Sequence, residues 1–144
     1  MTSRTTMVSG SRLAERFVVI AMVVAGLEML VAGIWAWLAP RSFADAVNFP
    51  YHEHFLHDAG VFQIGIGVAL LAGLVWRDAR AVTLTGFLTA NTLHALNHAY
   101  DRHLGGHISD AYALGVLSLL TGAALVLRVR QLRQPRASGP RSEP

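Results

Sequence analysis

The chain has 144 residues, of which 53% are hydrophobic and only 15% charged, and its formal net charge is +3. It contains no cysteine, which excludes disulfides, thiolate metal ligands and thiol redox chemistry. The basic residues bracket apolar runs instead of forming a patch interleaved with aromatic residues, so the positive charge does not indicate nucleic-acid binding.

Four apolar runs follow one another along the chain and predict an all-α fold, an integral membrane four-helix bundle. A helix that rises about 1.5 Å per residue needs about 20 residues to cross a hydrocarbon core of about 30 Å. The predicted spans cover about 17–38, 55–76, 81–99 and 111–127. Residues 1–16 form an N-terminal segment, and residues 128–144 form a basic tail rich in Pro, Ser and Gly that is predicted to be disordered.

The arginines orient the predicted bundle. All twelve basic residues are arginines, and ten of them lie before the first span, between the second and third, or after the fourth. Four spans place these three segments on one side, which the positive-inside rule makes the cytoplasm. Both termini are therefore predicted to be cytoplasmic. The arginine-only, alanine- and valine-rich composition suggests a high-GC bacterium, so the membrane would be the bacterial plasma membrane.

All seven histidines fall in two stretches, 52–57 and 94–107, which the same topology places outside the cytoplasm. His94 and His98 lie one turn apart on the third helix, a spacing at which two imidazoles can bind one metal ion. Antiparallel helices bring both stretches to the same height. The predicted metal ligands are His54, His57, Asp58, His94, His98, Asp101, His103 and His107, with Glu53 and Asp110 nearby.

This set of nitrogen and oxygen ligands suits zinc, copper, iron or manganese. Haem is the alternative cofactor. A bis-histidine haem needs ligands at similar depth on two helices, and His57 with His94 is the pair that comes nearest to this requirement.

Three polar residues inside the spans are predicted to share a buried layer about 12 to 15 Å below the outer surface. They are Glu28, Gln63 and Asn91. Such residues are costly in lipid and indicate either a proton-handling or ligand-binding role or a structural contact. They would bind a cofactor or hold the histidine ligands in place; the simpler alternative is a hydrogen-bonded clamp between helices.

Small residues form stripes on two predicted helices and favour close helix packing in lipid. The stripes are Gly65, Ala69 and Gly73 on the second helix, and Ala111, Gly115, Ser118 and Gly122 on the fourth. They would also suit docking to a second copy or to a larger membrane complex.

The four spans, the basic ends and glycine-rich helices such as FQIGIGVALLAGLVW resemble the small four-helix membrane proteins grouped as DoxX-like. The resemblance covers residues 17–127. It implies a four-helix membrane fold and an association with quinone-linked or thiol-oxidant processes, and it assigns no catalytic residue.

Together these features predict an outer histidine and carboxylate site that binds a transition metal. If the protein is an enzyme, metal-assisted redox chemistry on a small or lipid-soluble substrate such as a quinone is expected. The alternatives are a non-catalytic accessory or scaffold subunit, a haem protein, and a metal-free pH sensor. The predicted partners are membrane lipids and a second copy or a larger membrane complex.

Overall fold

The computed structural model describes residues 3–134 and, in the first helix, the side chains from residue 12 onward. This part of the chain is helical and contains no strand, which confirms the all-α prediction. The five helices are α1 (Ser3–Leu38), α2 (Pro40–Ala46), α3 (Glu53–Val75), α4 (Arg80–Tyr100) and α5 (Ile108–Arg133). A short 3₁₀ turn, Arg77–Ala79, joins α3 to α4.

The helices differ from the predicted segments at three places. α1 begins at Ser3, so the predicted N-terminal segment is continuous with the first span. α5 continues to Arg133, so the tail that was predicted to be disordered from residue 128 starts as helix; Arg130 and Arg133 lie in its last turn, where cations interact favourably with the helix dipole. The predicted tail from residue 135 onward lies outside the described residues.

The short helix α2 was not predicted. Pro40 occupies its first turn, where a missing amide hydrogen costs nothing. Trp35 at the end of α1 holds α2 in place, because its Nε1 donates a hydrogen bond to Ser42 Oγ at 3.2 Å and its ring meets that of Phe43 edge-on, with centroids 5.6 Å apart. The chain therefore folds back at the C-terminal end of α1.

Within the described part of the chain, three helices are long and apolar enough to cross a membrane: Arg12–Leu38 of α1, all of α3 and all of α5. Their outward faces carry large apolar side chains such as Phe62, 72% exposed, and Leu119, 77% exposed. Such surfaces suit lipid and are unusual in water. α4 is long enough but is not among the three, because threonines, asparagines and histidines interrupt its apolar sequence.

α1 packs mainly along α3, and α4 packs mainly along α5, while α1 also contacts α5. α3 and α4 share far fewer contacts, although they are consecutive in the chain. The core lies where the four long helices meet, nearer the end of the molecule at which α3 ends and α4 begins. Its buried side chains are Val18, Ala21, Met22, Ala25, Met29, Leu70, Leu84, Phe87 and Ala124.

Two pairs of glycines bring α1 and α3 into backbone contact. A Cβ on Gly33 would lie 2.7 Å from the Gly60 carbonyl oxygen, and a Cβ on Gly60 would lie 2.7 Å from that of Gly33. One helical heptad away, a Cβ on Gly67 would lie 2.9 Å from the Gly26 carbonyl oxygen. Only glycine permits this approach, which gains van der Waals contact between the two backbones.

The predicted stripes of small residues are only partly used in packing. Gly73 contacts Met22 and Thr83, and Gly122 lies within ordinary contact of Leu88. At Gly65 and Gly115 an added Cβ would meet no atom of the described residues within 4 Å, so both glycines face outward. The glycines that join α1 to α3 were not in either stripe.

An ionic network closes this same end of the molecule, where α1, α3, α4 and α5 meet. Arg80, 4% exposed, and Arg77 both donate to Glu15 Oε1, at 2.5 and 2.6 Å. Arg80 also donates from Nε to the Gly73 carbonyl at 3.0 Å, and Arg128 donates from Nη2 to the Arg77 carbonyl at 2.8 Å. These arginines were predicted only as orientation signals, yet Arg80 also pairs with a carboxylate and satisfies a carbonyl at the end of α3.

Candidate functional site

His94 and His98 contact each other on the last two turns of α4. Their Nε2 atoms are 3.0 Å apart, and their ring centroids are separated by 4.8 Å. Because a neutral imidazole has one donor and one acceptor nitrogen, one Nε2 donates and the other accepts in this contact. The structure therefore confirms that the spacing of four residues places the two imidazoles side by side, with the same nitrogen of each directed at one point.

The carboxylate of Asp110 links this pair to α5. Its Oδ2 lies 3.7 Å from His98 Nδ1 and accepts a hydrogen bond from the His107 amide at 2.7 Å. Asp110 is the third residue of α5, and a carboxylate there satisfies the amide of the N-cap residue. It is thus held by the helix start while it faces the His98 ring. His98 presents Nε2 to His94 and Nδ1 to a carboxylate.

Gly106 connects the loop after α4 to the loop after α2. Its amide donates to the Asn48 carbonyl at 2.8 Å, and Asn48 Nδ2 donates to the Gly106 carbonyl at 3.2 Å. His107 Nε2 contacts the Ala46 carbonyl at 3.1 Å. The end of α2 is therefore tied directly to the loop that precedes α5.

Replacing Gly106 by alanine is expected to disturb the histidine pair. Its φ of +82° favours glycine, and a Cβ would lie 3.0 Å from His98 Nδ1 and 3.3 Å from Asp110 Oδ2. We expect a loss of about 1 to 3 kcal/mol in the free energy of unfolding, since strained backbone and crowding add. Denaturant titration of the purified variant measures this loss, and an NMR shift of the His98 ring relative to wild type would confirm its cause. Unchanged stability and spectrum would contradict the geometry.

The first histidine stretch lies apart from this group. His54 Nε2 is 3.5 Å from Asp58 Oδ2, and both side chains are more than half exposed. His52 caps α3 by accepting the Phe55 amide at its Nδ1, 3.2 Å away. No hydrogen bond or ion pair in the described part of the chain joins His57 to the second stretch.

The remaining predicted ligands also stay separate. Asp101 is the C-cap of α4, and His103 lies in the following loop, beside a shallow pocket of about 470 Å³. Among residues 12–134, no three His, Asp or Glu side chains converge in a ready-made metal centre. The two histidine stretches are at the same end of the bundle, but their helices are not close partners, because α3 packs mainly on α1 and α4 packs mainly on α5.

The loop between α2 and α3 is held by its own contacts. The Tyr51 hydroxyl donates to Glu53 Oε2 at 2.7 Å, and this hydrogen bond raises the pKa of Tyr51 above its ordinary value. The Arg41 guanidinium lies 4.3 Å from the centre of the Tyr51 ring, a cation–π contact. These contacts fix the beginning of α3 and do not involve the His94 group.

The three polar residues predicted to share a buried layer do not contact one another through hydrogen bonds. Asn91 is buried and donates from Nδ2 to the Leu114 carbonyl and to Ser118 Oγ, both at 2.8 Å. Gln63 Oε1 is buried without a partner among the described residues, and Glu28 lies on the exposed face of α1. Asn91 therefore joins α4 to α5, as in the clamp alternative.

Asp110 is the residue that the sequence analysis left outside its predicted ligand set. The available signal was its position three residues after His107, where a carboxylate accepts a hydrogen bond from the first amide of a helix. In the fold, this start of α5 lies beside the end of α4.

Comparison with models of known protein families, with curated proteins and with solved structures gave no match to this chain. The DoxX-like resemblance stays a prediction.

Proposed function

We propose that this protein is a four-helix bundle of the bacterial plasma membrane that binds a transition metal ion between His94 and His98. The observation that carries the proposal is the 3.0 Å separation of the two Nε2 atoms. Two nitrogen ligands about 2.0 Å from a tetrahedral ion lie about 3.3 Å apart. To accept an ion, the two nitrogens would have to separate by only a few tenths of an ångström, and the rings would have to turn so that both unprotonated Nε2 atoms point at it.

Asp110 supports this proposal through the other nitrogen of His98. Histidines that bind metals usually donate their second ring N–H to a carboxylate or carbonyl, which fixes the tautomer and makes the ligand more basic. His98 Nδ1 lies 3.7 Å from Asp110 Oδ2, so a small shift completes such a bond. In that arrangement His98 binds the ion through Nε2.

Two protein ligands leave coordination positions open. Water or a substrate would complete the coordination of zinc, copper(II), iron or manganese. Open positions are a feature of catalytic metal sites, and they are compatible with redox chemistry on a lipid-soluble substrate such as a quinone. That activity is the enzymatic form of the proposal.

The proposed topology has both termini in the cytoplasm and the metal site outside. The ends of the helices that carry Glu15, Arg77, Arg80 and Arg128 would face the cytoplasm, in agreement with the positive-inside rule. α4 would cross the membrane with several of its polar groups partnered, since Asn91 Nδ2 bonds to α5 and the Thr89 hydroxyl bonds to the Thr85 carbonyl at 2.9 Å.

Metal analysis tests the proposal. We expect protein purified in mild detergent without a histidine tag to contain about one transition metal ion per chain after metal supplementation, and the His94→Ala/His98→Ala variant to contain none. Elemental mass spectrometry measures the metal, and the visible spectrum of the same sample would reveal haem by a Soret band.

The matched control is His54→Ala/His57→Ala, which removes two histidines at the same end of the molecule. It should keep its metal, and circular dichroism should show equal helix content in both variants. Metal-free wild-type protein after supplementation, or equal loss of metal from both variants, would contradict the proposed site.

A second candidate is a non-catalytic subunit of a larger membrane complex, favoured by Gly65 and Gly115, where no atom of the described residues lies within 4 Å of an added Cβ. Such open glycines allow close approach of another helix. Gly115→Leu would then dissociate the complex on native gels of solubilised membranes while leaving bound metal unchanged. Loss of metal without loss of the complex would favour the metal site instead.

A further inference from the structure

A groove of about 580 Å³ runs between α1 and α5 at the proposed cytoplasmic end of the molecule. Its apolar wall consists of Leu13, Ala14, Phe17, Ile20 and Leu127, and Arg16 is the one charged residue of the described chain that lines it. We infer that this groove binds one anionic phospholipid, with an acyl chain along the apolar wall and the phosphate on Arg16.

The apolar wall suits a hydrocarbon chain. Leu13 is 62% exposed and Ile20 is 59% exposed, although the two side chains lie at the edge of a concave surface. From Arg16 to Ile20 the helix rises about 6 Å, so Phe17 and Ile20 would line the upper part of an acyl chain whose phosphate lies on Arg16. A bound acyl chain would pack against both side chains and give them van der Waals contacts that they lack in the open groove.

The charge at the mouth of the groove selects the headgroup. Arg12 lies one turn before Arg16 on the same helix, so the two guanidinium groups are neighbours. Among residues 12–134, no carboxylate lies within 4 Å of either group. The nearest acid in the sequence, Glu15, is already shared by Arg77 and Arg80. The positive charge of the two arginines is therefore available to a phosphate.

The depth of these groups favours a lipid over a soluble anion or a partner helix. Arg16 directly precedes the predicted span that begins at residue 17, so it lies at headgroup level, where arginines attract anionic lipid. A partner helix would have to place a carboxylate of its own opposite Arg16. An anionic phospholipid supplies the apolar chain and the negative charge in one molecule.

Native mass spectrometry of the full-length protein in neutral detergent tests the inference. The probes are phosphatidylglycerol and phosphatidylcholine with identical acyl chains, and inorganic phosphate alone. We expect one molecule of phosphatidylglycerol to bind in preference to phosphatidylcholine, and phosphate alone not to bind. Each arginine near an anionic headgroup contributes about fivefold, so Arg12→Gln/Arg16→Gln should weaken phosphatidylglycerol binding about thirtyfold.

Two further variants separate a groove from diffuse attraction. Arg41→Gln/Arg102→Gln removes the same charge at the opposite end and should leave binding unchanged. Ala14→Phe fills the groove and should abolish retention of the lipid while circular dichroism remains that of the wild type; if that variant does not fold, Leu13→Ala/Ile20→Ala provides the same test at exposed positions.

Equal binding of the two lipids would overturn the inference. So would equal losses in the two arginine variants, or retention of phosphatidylglycerol when the groove is filled or its apolar wall is truncated. Binding of inorganic phosphate as strongly as phosphatidylglycerol would identify a simple anion site and would also overturn it.

Discussion

Replacing Gly60 by alanine is expected to lower the free energy of unfolding by about 1 to 3 kcal/mol, while the same replacement at Gly65 leaves it unchanged or raises it by up to about 1 kcal/mol. At Gly60 the new methyl group would lie 2.7 Å from the Gly33 carbonyl oxygen and 3.0 Å from the Trp37 amide nitrogen. Both atoms belong to the α1 backbone and cannot rotate away. α1 and α3 would have to separate.

Gly65 is the matched control because it lies in the same helix and an added Cβ there would meet no described atom within 4 Å. Alanine there gains helix propensity without a clash. Unfolding in mixed micelles with increasing denaturing detergent, followed by circular dichroism, measures both variants. Equal stability changes at the two positions would show that α1 and α3 do not approach as described. Gly60→Leu should enlarge the difference.

Replacing Glu15 by glutamine is expected to cost about 3 kcal/mol, because it leaves the guanidinium of Arg80 buried without a charged partner. The Arg80 side chain is 5% exposed, and its other bonds are to neutral carbonyls of Gly73 and Leu74. Arg80→Met should be damaging as well, since these carbonyls at the end of α3 would lose a donor.

Arg77→Gln is the control for this prediction. The Arg77 side chain is 66% exposed, so its ion pair with Glu15 is screened by solvent and is expected to contribute less than about 1 kcal/mol. A double-mutant cycle of Glu15→Gln with Arg80→Met should give a coupling energy of about 1 kcal/mol or more, because the two groups share one bond. A cost for Arg77→Gln as large as that for Glu15→Gln would contradict the assigned roles.

The features that could be predicted from the sequence are those encoded within one short segment of the chain. Apolar runs of about 20 residues predicted the long helices, since length and hydropathy act within one segment. The pairing of His94 with His98 follows from helical periodicity alone, and the structure places their Nε2 atoms 3.0 Å apart. α2 escaped prediction because seven residues provide no usable period; Pro40 was its one local marker.

Predictions that required knowledge of which helices are neighbours were less successful. His54 and His98 lie at the same end of the molecule, but α3 and α4 pack chiefly on other helices, and no hydrogen bond or ion pair among the described residues joins the two histidine stretches. Nothing in a single sequence states which faces meet. The same reason explains why Glu15 was not predicted to pair with Arg80, 65 residues later.

The contact between α1 and α3 did leave a trace in the sequence. Gly26 and Gly33 are seven residues apart, and so are Gly60 and Gly67. Seven residues are two helical turns, so each pair lies on one face of its helix. The predicted stripes relied on spacings of three and four and therefore selected Gly65 and Gly115, which face outward.

The equal spacing of the two glycine pairs also determines register. A single close contact would let two helices pivot or slide, but two contacts separated by about 10 Å align them along their length. If α1 slid by one turn, side chains with a Cβ would meet the opposing backbone at both points. The alignment holds Glu15 level with Arg77 at one end and brings Trp37 against Gly60 at the other. Four residues without side chains thus set the relative height of both ends of the molecule.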